Sequence, residues 1–324
     1  MIRILMCTFN GAAYVREQID SILCQDTTEP FELWISDDGS SDATLTILRE
    51  MEQQYPDRIR VSVENPPTGS ACRHFLTLFS EGAAEHADYL MFSDQDDVWK
   101  PSKIRKSLAA MHAVEAVYQN STPVLVHCDS EIVDKELYPV ADSFVKYQKM
   151  TPSRCGFHQL LVQNNVVGGA MMINHALAER LVDIPEHAVM HDQWIALVAA
   201  AFGQIRFIPE ALYLYRQHGD NVLGADRGSR IGEILGRFGI GRKDGKSKAD
   251  MDAHSHAVYH ELFLQAESFN KIYGAQLTKR QQRELAAFLR IPEEHRIVKI
   301  LTIFRYGFTY NLLHRTIGEC LFIG

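Results

Sequence analysis

Across its first half the chain alternates short apolar runs with segments of helical period, and this alternation constrains the fold more than any other feature. Residues 2–7 form an apolar run suited to a strand buried on both faces, and in the next segment Val15, Ile19, Ile22 and Leu23 share one helical face. The pattern repeats, with apolar runs at 31–36, 59–63, 89–92 and 124–128 and helical segments at 42–54, 72–79 and 103–117. Ser41 or Asp42 stands where it can cap the helix over 42–54. Strand and helix in strict alternation predict an α/β fold whose sheet is parallel and covered on both faces. Ligands of such sheets bind beyond the carboxyl ends of the strands, so the loop leaving each run matters most.

Those loops are polar and mostly acidic. The first run ends in Thr8-Phe9-Asn10-Gly11, the second in Asp37-Asp38-Gly39-Ser40-Ser41-Asp42, and the run at 89–92 in Ser93-Asp94-Gln95-Asp96-Asp97-Val98-Trp99. In extended chain Asp94 and Asp96 point the same way and can address one ligand. Carboxylates packed this tightly raise each other's pKa, and a divalent cation resolves the conflict. Mg²⁺ or Mn²⁺ takes oxygen ligands, typically one or two carboxylates plus substrate phosphate. A solvated acidic turn accounts for the cluster equally well. A turn and helix cap explain Ser41 and Asp42, whereas Asp37 and Asp38, directly after a strand, suit a base N–H or a ribose hydroxyl. Neither G-x-G-x-x-G nor G-x-x-x-x-G-K-[ST] is present, so dinucleotide and P-loop classes lose their main support.

After residue 150 the alternation loosens. An apolar strand is expected over 166–173 with Gly168-Gly169 inside it, a helix over 192–201, and strands over 205–208 and 212–215. Residues 224–248 are rich in glycine and basic side chains and read as a mobile linker, and the remainder reads as helical. The expected organisation is a catalytic domain over 1–223, a linker over 224–250 and a helical region over 251–324. Charge divides the same way: residues 1–225 carry 17 basic against 30 acidic side chains, and residues 226–324 carry 16 against 11. A whole-chain charge of -8 speaks against nucleic acid as a partner. From residue 296 an apolar series, Ile297, Val298, Ile300, Leu301, Ile303 and Phe304, is edged by Arg296, Lys299 and Arg305. Such a stripe can lie on an anionic membrane surface, pack on the first domain, or join subunits of a homo-oligomer. The six cysteines show no paired spacing, the N-terminus lacks a signal-peptide pattern, and no run of apolar residues is long enough to span a bilayer, so a cytoplasmic location is expected, with peripheral contact at the inner membrane face allowed.

Taken in order, Cys7-Thr8-Phe9-Asn10-Gly11, the Asp37–Asp42 box, the Ser93–Trp99 box, Met190-His191-Asp192-Gln193-Trp194 and Tyr215-Arg216-Gln217-His218 resemble family 2 glycosyltransferases of the GT-A fold, closest to a bacterial rhamnosyltransferase-like branch that builds surface polysaccharide. The resemblance covers about residues 1–220 and implies a mixed sheet with helices on both faces. It implies that Thr8 and Asn10, with Asp37 or Asp38, hold the donor nucleoside, and that Asp94 and Asp96 form the D-x-D pair gripping the donor diphosphate through Mn²⁺ or Mg²⁺. Asp192 stands at the catalytic base, where the family usually has a Glu-Asp pair; here His191 precedes it. Gly168 and Gly169 match an acceptor-side segment, and Arg216 and His218 a motif that covers the diphosphate. The donor so implied is a dTDP- or UDP-sugar, with dTDP-rhamnose favoured, and the acceptor a saccharide or lipid-linked glycan. One base and one metal give a single displacement with inversion. Competing readings are a UDP-hexose or UDP-N-acetylhexosamine transferase, a nucleotidyltransferase, for which Thr8–Gly11 lacks the triphosphate loop, and a non-catalytic nucleotide-sugar-binding protein.

Blander roles compete at several places. Asp192 in the first turn of a helix would cap it. His127 and Asp129 end a strand and either reach the rim or, for the histidine more often, sit satisfied in the core; Trp99 and Trp194 either stack on ligand or pack on the sheet, and Arg73 with His74 either meets phosphate or forms a basic surface turn.

Overall fold

Strand β1 (Ile2–Thr8) is mostly apolar, with six of its seven residues buried, because parallel neighbours flank it on both sides. In the computed structural model it pairs with β2 (Phe31–Asp37) and with β4 (Tyr89–Ser93), and β2 pairs with β3 (Ile59–Val63), all in parallel. The register sets Thr8 beside Asp37 and Met6 beside Ser93, so the three polar loops leave the sheet at one edge. Arg3, the charged exception in β1, donates to Glu85 O at 2.8 Å and lies 3.7 Å over the Trp34 ring.

Between these strands run α1 (Val15–Leu23), α2 (Thr44–Gln54), α3 (Ala71–Ser80) and, after the two-residue β5 (Val98–Trp99), α4 (Lys103–Tyr118). In α1, Val15, Ile19 and Ile22 are buried at one-turn spacing, the pattern of a helix with one face on a sheet. Asp42 accepts the Thr44 amide at 2.9 Å just before α2, but the N-cap position itself falls to Ala43, which has no side-chain cap, and not to Ser41 or Asp42 as expected.

The second half departs from the expected parallel order. Strand β8 (Met171–Asn174) is antiparallel to both β4 and β6 (Val124–Val133), while β9 (Gln204–Arg216) runs parallel to β6 and antiparallel to β5. The short β7 (Pro139–Ala141) hairpins back on β6. The nine strands among the described residues make one mixed sheet, ordered β3-β2-β1-β4-β8-β6-β9-β5 with β7 on β6. The strand expected over 166–173 is a 3₁₀ turn, Gly168–Ala170, leading into β8, and the two strands expected over 205–215 are one. Helix α5 (His191–Phe202) covers the expected 192–201.

The described residues are 1–80, 82, 84–181, 183–218, 248–312, 315–317 and 320; all but one residue of the glycine-rich linker expected over 224–248 lies outside them. The chain forms two compact units, Met1–Phe144 with Val166–Ile184 and Met190–Gly224, and Val145–Asn165 with Pro185–Val189 and Ala225–Gly324. The second contains α6 (Lys248–Tyr273), α7 (Lys279–Arg290) and α8 (Arg296–Tyr306). Its core is aromatic: Phe288 packs on Phe263 and Phe308 with ring centroids 4.9 and 5.2 Å apart, and Phe157 on Phe269 at 5.5 Å. Thr278 and Gln281 form a capping box on α7, and Gly307, at φ 72°, ends α8 in the left-handed conformation.

Candidate active site

At the ends of β1 and β2 the expected nucleoside residues interlock. Thr8, buried, donates its hydroxyl to Asp37 Oδ2 at 2.9 Å, and Asp37 also accepts the Ser40 amide at 2.8 Å and the Ser40 hydroxyl. Asn10 adopts φ 48° and accepts the Ser41 amide on Oδ1 at 2.8 Å, while its own N–H reaches Ser40 Oγ. Asp38 accepts from the Thr68 and Gly69 amides and the Thr68 hydroxyl, which ties the loop before α3 to the end of β2. These carboxylates therefore shape the floor of the rim. Phe9, beside them, leaves 57% of its surface exposed.

The acidic loop after β4 is held from three directions. Gln95 clamps the first loop, accepting the Phe9 amide at 2.9 Å and donating to Phe9 O at 3.0 Å. Gly11 carries no Cβ because the Gln95 amide would occupy its place. Arg216, 3% exposed, donates from Nε to Asp96 O at 2.8 Å, from one terminal nitrogen to Lys135 O at 2.7 Å and from the other to Glu17, under the Tyr14 ring. Its amide reaches Asp97 Oδ1. His218 sets Nε2 2.7 Å from Asp96 Oδ2 and stacks on Tyr14 at 4.8 Å.

Behind the loop lies Lys103, fully buried, its ammonium 3.6 Å over the Trp99 ring and donating to Gly169 O. A Cβ on Gly169 would sit 3.2 Å from Asp94 Oδ2 and 3.3 Å from Asp97 Oδ2, so this glycine lets the chain pass directly beneath two carboxylates. Burial, reinforced by Asp96 and Asp192 and opposed by Lys103, holds the half-buried Asp94 carboxyl well above its usual range. Asp97 is raised the same way, by burial and then by Asp96 and Asp94. The amine of Lys103 is pushed below its ordinary value, burial outweighing its acidic neighbours.

Asp192 opens the first turn of α5. Its Oδ2 accepts the Gly168 amide at 3.1 Å and its Oδ1 the Gln193 amide at 2.6 Å, so two backbone N–H groups fix the carboxylate near Asp94 and on the side of Gly168-Gly169. His191 turns inward instead, stacking on Phe75 at 4.1 Å with its Nε2 against Gly168, and neither ring nitrogen has a hydrogen-bond partner among the described residues. Burial depresses its pKa to about 3.

Trp99 and Trp194 are core side chains, 3% and 0% exposed, which excludes stacking on a ligand in this arrangement. His127 packs on Phe207 in the core, as expected. His74 is buried with Nε2 2.8 Å from Ser36 Oγ, so it joins the sheet and leaves the surface turn to Arg73. Lys103, Gln95, Tyr14 and Glu17 escaped the reading of motifs. For Lys103 a signal existed: a cation in the first turn of a helix opposes the dipole and asks for another reason to be there.

The family described as Glycosyl transferase family 2 matches residues 3–180. The dTDP-rhamnosyl transferase RfbG of Shigella flexneri is 37% identical over 103 residues, 32% of this chain and 35% of that protein. An uncharacterised glycosyltransferase of a Nostoc species is 26% identical over 228 residues, 68% of this chain and 66% of the relative. The chain thus spans between about a third and two thirds of the length of these relatives. Among solved structures, residues 1–349 of S. aureus TarS, in complex with UDP-GlcNAc, align with a TM-score of 0.53 and 15% identity over 95% of this chain and 93% of that one, a likeness of fold.

Proposed function

The chain belongs to glycosyl transferase family 2, and from that premise we propose an inverting, metal-dependent glycosyltransferase that moves a sugar from a nucleotide donor to a saccharide or lipid-linked glycan. Its fold is GT-A, a mixed sheet with covering helices and a helical C-terminal region. The observation that carries the reading is the convergence of Asp94, Asp97 and the backbone-held Asp192 around Gly168-Gly169 at the carboxyl edge of the sheet.

Asp94 and Asp96 are the residues for a divalent cation. They fit one: crowding and burial keep Asp94 from ionising readily, and hard oxygen donors suit Mg²⁺ or Mn²⁺ completed by substrate phosphate. Bound there, such an ion supplies Lewis-acid stabilisation of the charge on the departing diphosphate. Asp192, oriented by the Gly168 and Gln193 amides, takes the acceptor's proton as its hydroxyl attacks, and attack opposite the leaving group inverts the anomeric carbon. Thr8, Asn10, Asp37 and Asp38 shape the nucleoside subsite, with the exposed Phe9 ring offering a stacking face for the base. Arg216 and His218 serve the diphosphate by holding the Asp96 loop.

The favoured donor is dTDP-rhamnose, supported by the likeness to RfbG over its 103 residues. No helix among the described residues is long and apolar enough to cross a membrane. The basic surplus after residue 226 and the exposed side chains of α8 support approach to a membrane surface, where a lipid-linked acceptor would lie. The test is hydrolysis of a panel of sugar nucleotides with and without Mn²⁺, alongside thermal shifts with dTDP and UDP. Mn²⁺-dependent turnover of dTDP-rhamnose is expected. A larger response to UDP would overturn the rhamnose assignment, and no turnover or binding of any sugar nucleotide would overturn the reading as a whole.

A further inference from the structure

In the helical unit, one face of α7 and the last turn of α8 enclose a cavity of about 360 Å³ lined by His158, Arg280, Arg283, Glu284, Arg305 and Tyr306. Arg280, Arg283 and Glu284 share that face because they are spaced by three and four residues. Next to the cavity, Gly307 at φ 72° turns the chain sharply after Tyr306, and the His158 imidazole occupies the volume beside its Cα. Three arginines meet a single carboxylate here, Glu284, which accepts from Arg280 Nε at 2.8 Å. Among the described residues no carboxylate pairs with Arg283 or Arg305. The cavity therefore has surplus positive charge, presented by guanidinium forks whose planar donor pairs match the oxygens of a phosphate.

The helix that supplies Arg305 also presents an exposed apolar stripe. Ile297, Leu301 and Phe304 recur at one-turn spacing and are 74%, 64% and 56% exposed, while Ile303 on the opposite side is fully buried. Around the helix, Arg305 falls directly beside Leu301 and Val298, and Arg296 borders the other edge. An apolar strip edged by cations, next to a cationic cavity, is complementary to an interface in which acyl chains lie beneath phosphate headgroups.

We propose that this cavity binds the phosphate of an anionic lipid while the α8 stripe rests in the headgroup boundary. The proposal rests on the enzyme's approach to a membrane surface and adds the group that is recognised and the residues that recognise it.

Flotation of the full chain with phosphatidylcholine vesicles, and with phosphatidylcholine mixed with phosphatidylglycerol, tests it. Both arginines are exposed, so Arg283→Gln with Arg305→Gln leaves the core intact, and Lys279→Gln with Arg290→Gln removes equal charge from α7 outside the cavity. The wild type is expected to float with the mixed vesicles only, and the cavity variant to bind them roughly 30-fold more weakly. The control should stay close to wild type, and all three proteins should hydrolyse donor equally. Mixed vesicles that hold the cavity variant and the wild type alike would overturn the phosphate site and leave the membrane approach standing. A wild type that floats with neither vesicle would overturn both. Inorganic phosphate that binds as tightly as the mixed vesicles would make this a free-phosphate site and overturn the lipid assignment.

Discussion

Arg216 offers the sharpest test of how the acidic loop is kept in place. A motif that the family resemblance places over a diphosphate invites the view that its arginine grips the ligand, yet the guanidinium is 3% exposed and donates to Asp96 O, Lys135 O and Glu17. Replacement by Met keeps most of the stem's packing and removes the donors. Glu17 is about half exposed and can turn to water, so its share of the loss is small. The two carbonyls are left to find new partners in a crowded place, at about 1–3 kcal/mol each, or about 2–6 kcal/mol together. For a unit of this size that lowers Tm by roughly 5–20 °C. Because Arg216 anchors the residue between Asp94 and Asp97, the variant should also lose Mn²⁺-dependent binding of nucleotide. Arg216→Lys, with a single point charge in place of a fork, should recover less than half of the lost stability. Differential scanning calorimetry and titration calorimetry with Mn²⁺ and nucleotide measure both effects. An Arg216→Met protein that melts with the wild type while failing to bind nucleotide would refute the reasoning, because the guanidinium would then act on the ligand directly.

If Asp192 is the base we propose, Asp192→Asn should lower kcat by about 10²–10⁴-fold while nucleotide affinity holds, since a base for the acceptor leaves the donor untouched; steady-state kinetics at saturating donor decide it, and unchanged turnover would remove Asp192 from the mechanism. Gly169→Ala puts a methyl group 3.2 Å from Asp94 Oδ2 and 3.3 Å from Asp97 Oδ2, and the expected outcome is weaker Mn²⁺-dependent thermal stabilisation together with about 1–3 kcal/mol of overpacking cost. Burial holds His191 near a pKa of about 3 and His127 near about 4, against 6.5 for the ordinary side chain. The unfolded chain therefore takes up protons that the folded one refuses. Stability is full above pH 6.5 and falls as the solution is acidified toward those folded values, by about 2 kcal/mol per histidine at about pH 5. Urea titrations across that range should show a slope that flattens when both become Gln, and an unaltered slope would show that other groups govern the acid response.

The three loops at the sheet edge were legible because β1, β2 and β4 each carry a mostly apolar run that ends in polar residues, and such a run has few alternatives. Strand direction was not. An apolar run reads the same in either sense, so nothing in Met171–Asn174 announces that β8 opposes β4 and β6. The run from 166 looked like continuous strand because Val166 and Val167 lead into it, but Gly168–Ala170 turns where Lys103 takes a carbonyl and two carboxylates press from above. Charge at the site was legible as residue type and not as direction. Asp94 and Asp192 lie beside Gly169 and Gly168, a proximity that no spacing announced, while Arg216 turns its donors inward. No periodicity distinguishes an arginine that meets a ligand from one that supports a loop. What the sequence carries instead is a local misfit. Lys103 stands in a helix first turn where its charge opposes the dipole, and His191 stands where a helix start would favour an acid. Each proves buried against the Gly168-Gly169 turn, Lys103 by a hydrogen bond to Gly169 O and His191 by contact with Gly168. That turn is where the backbone must pass closest to the carboxylates, so the residues least suited to their own helices are those that shape the site.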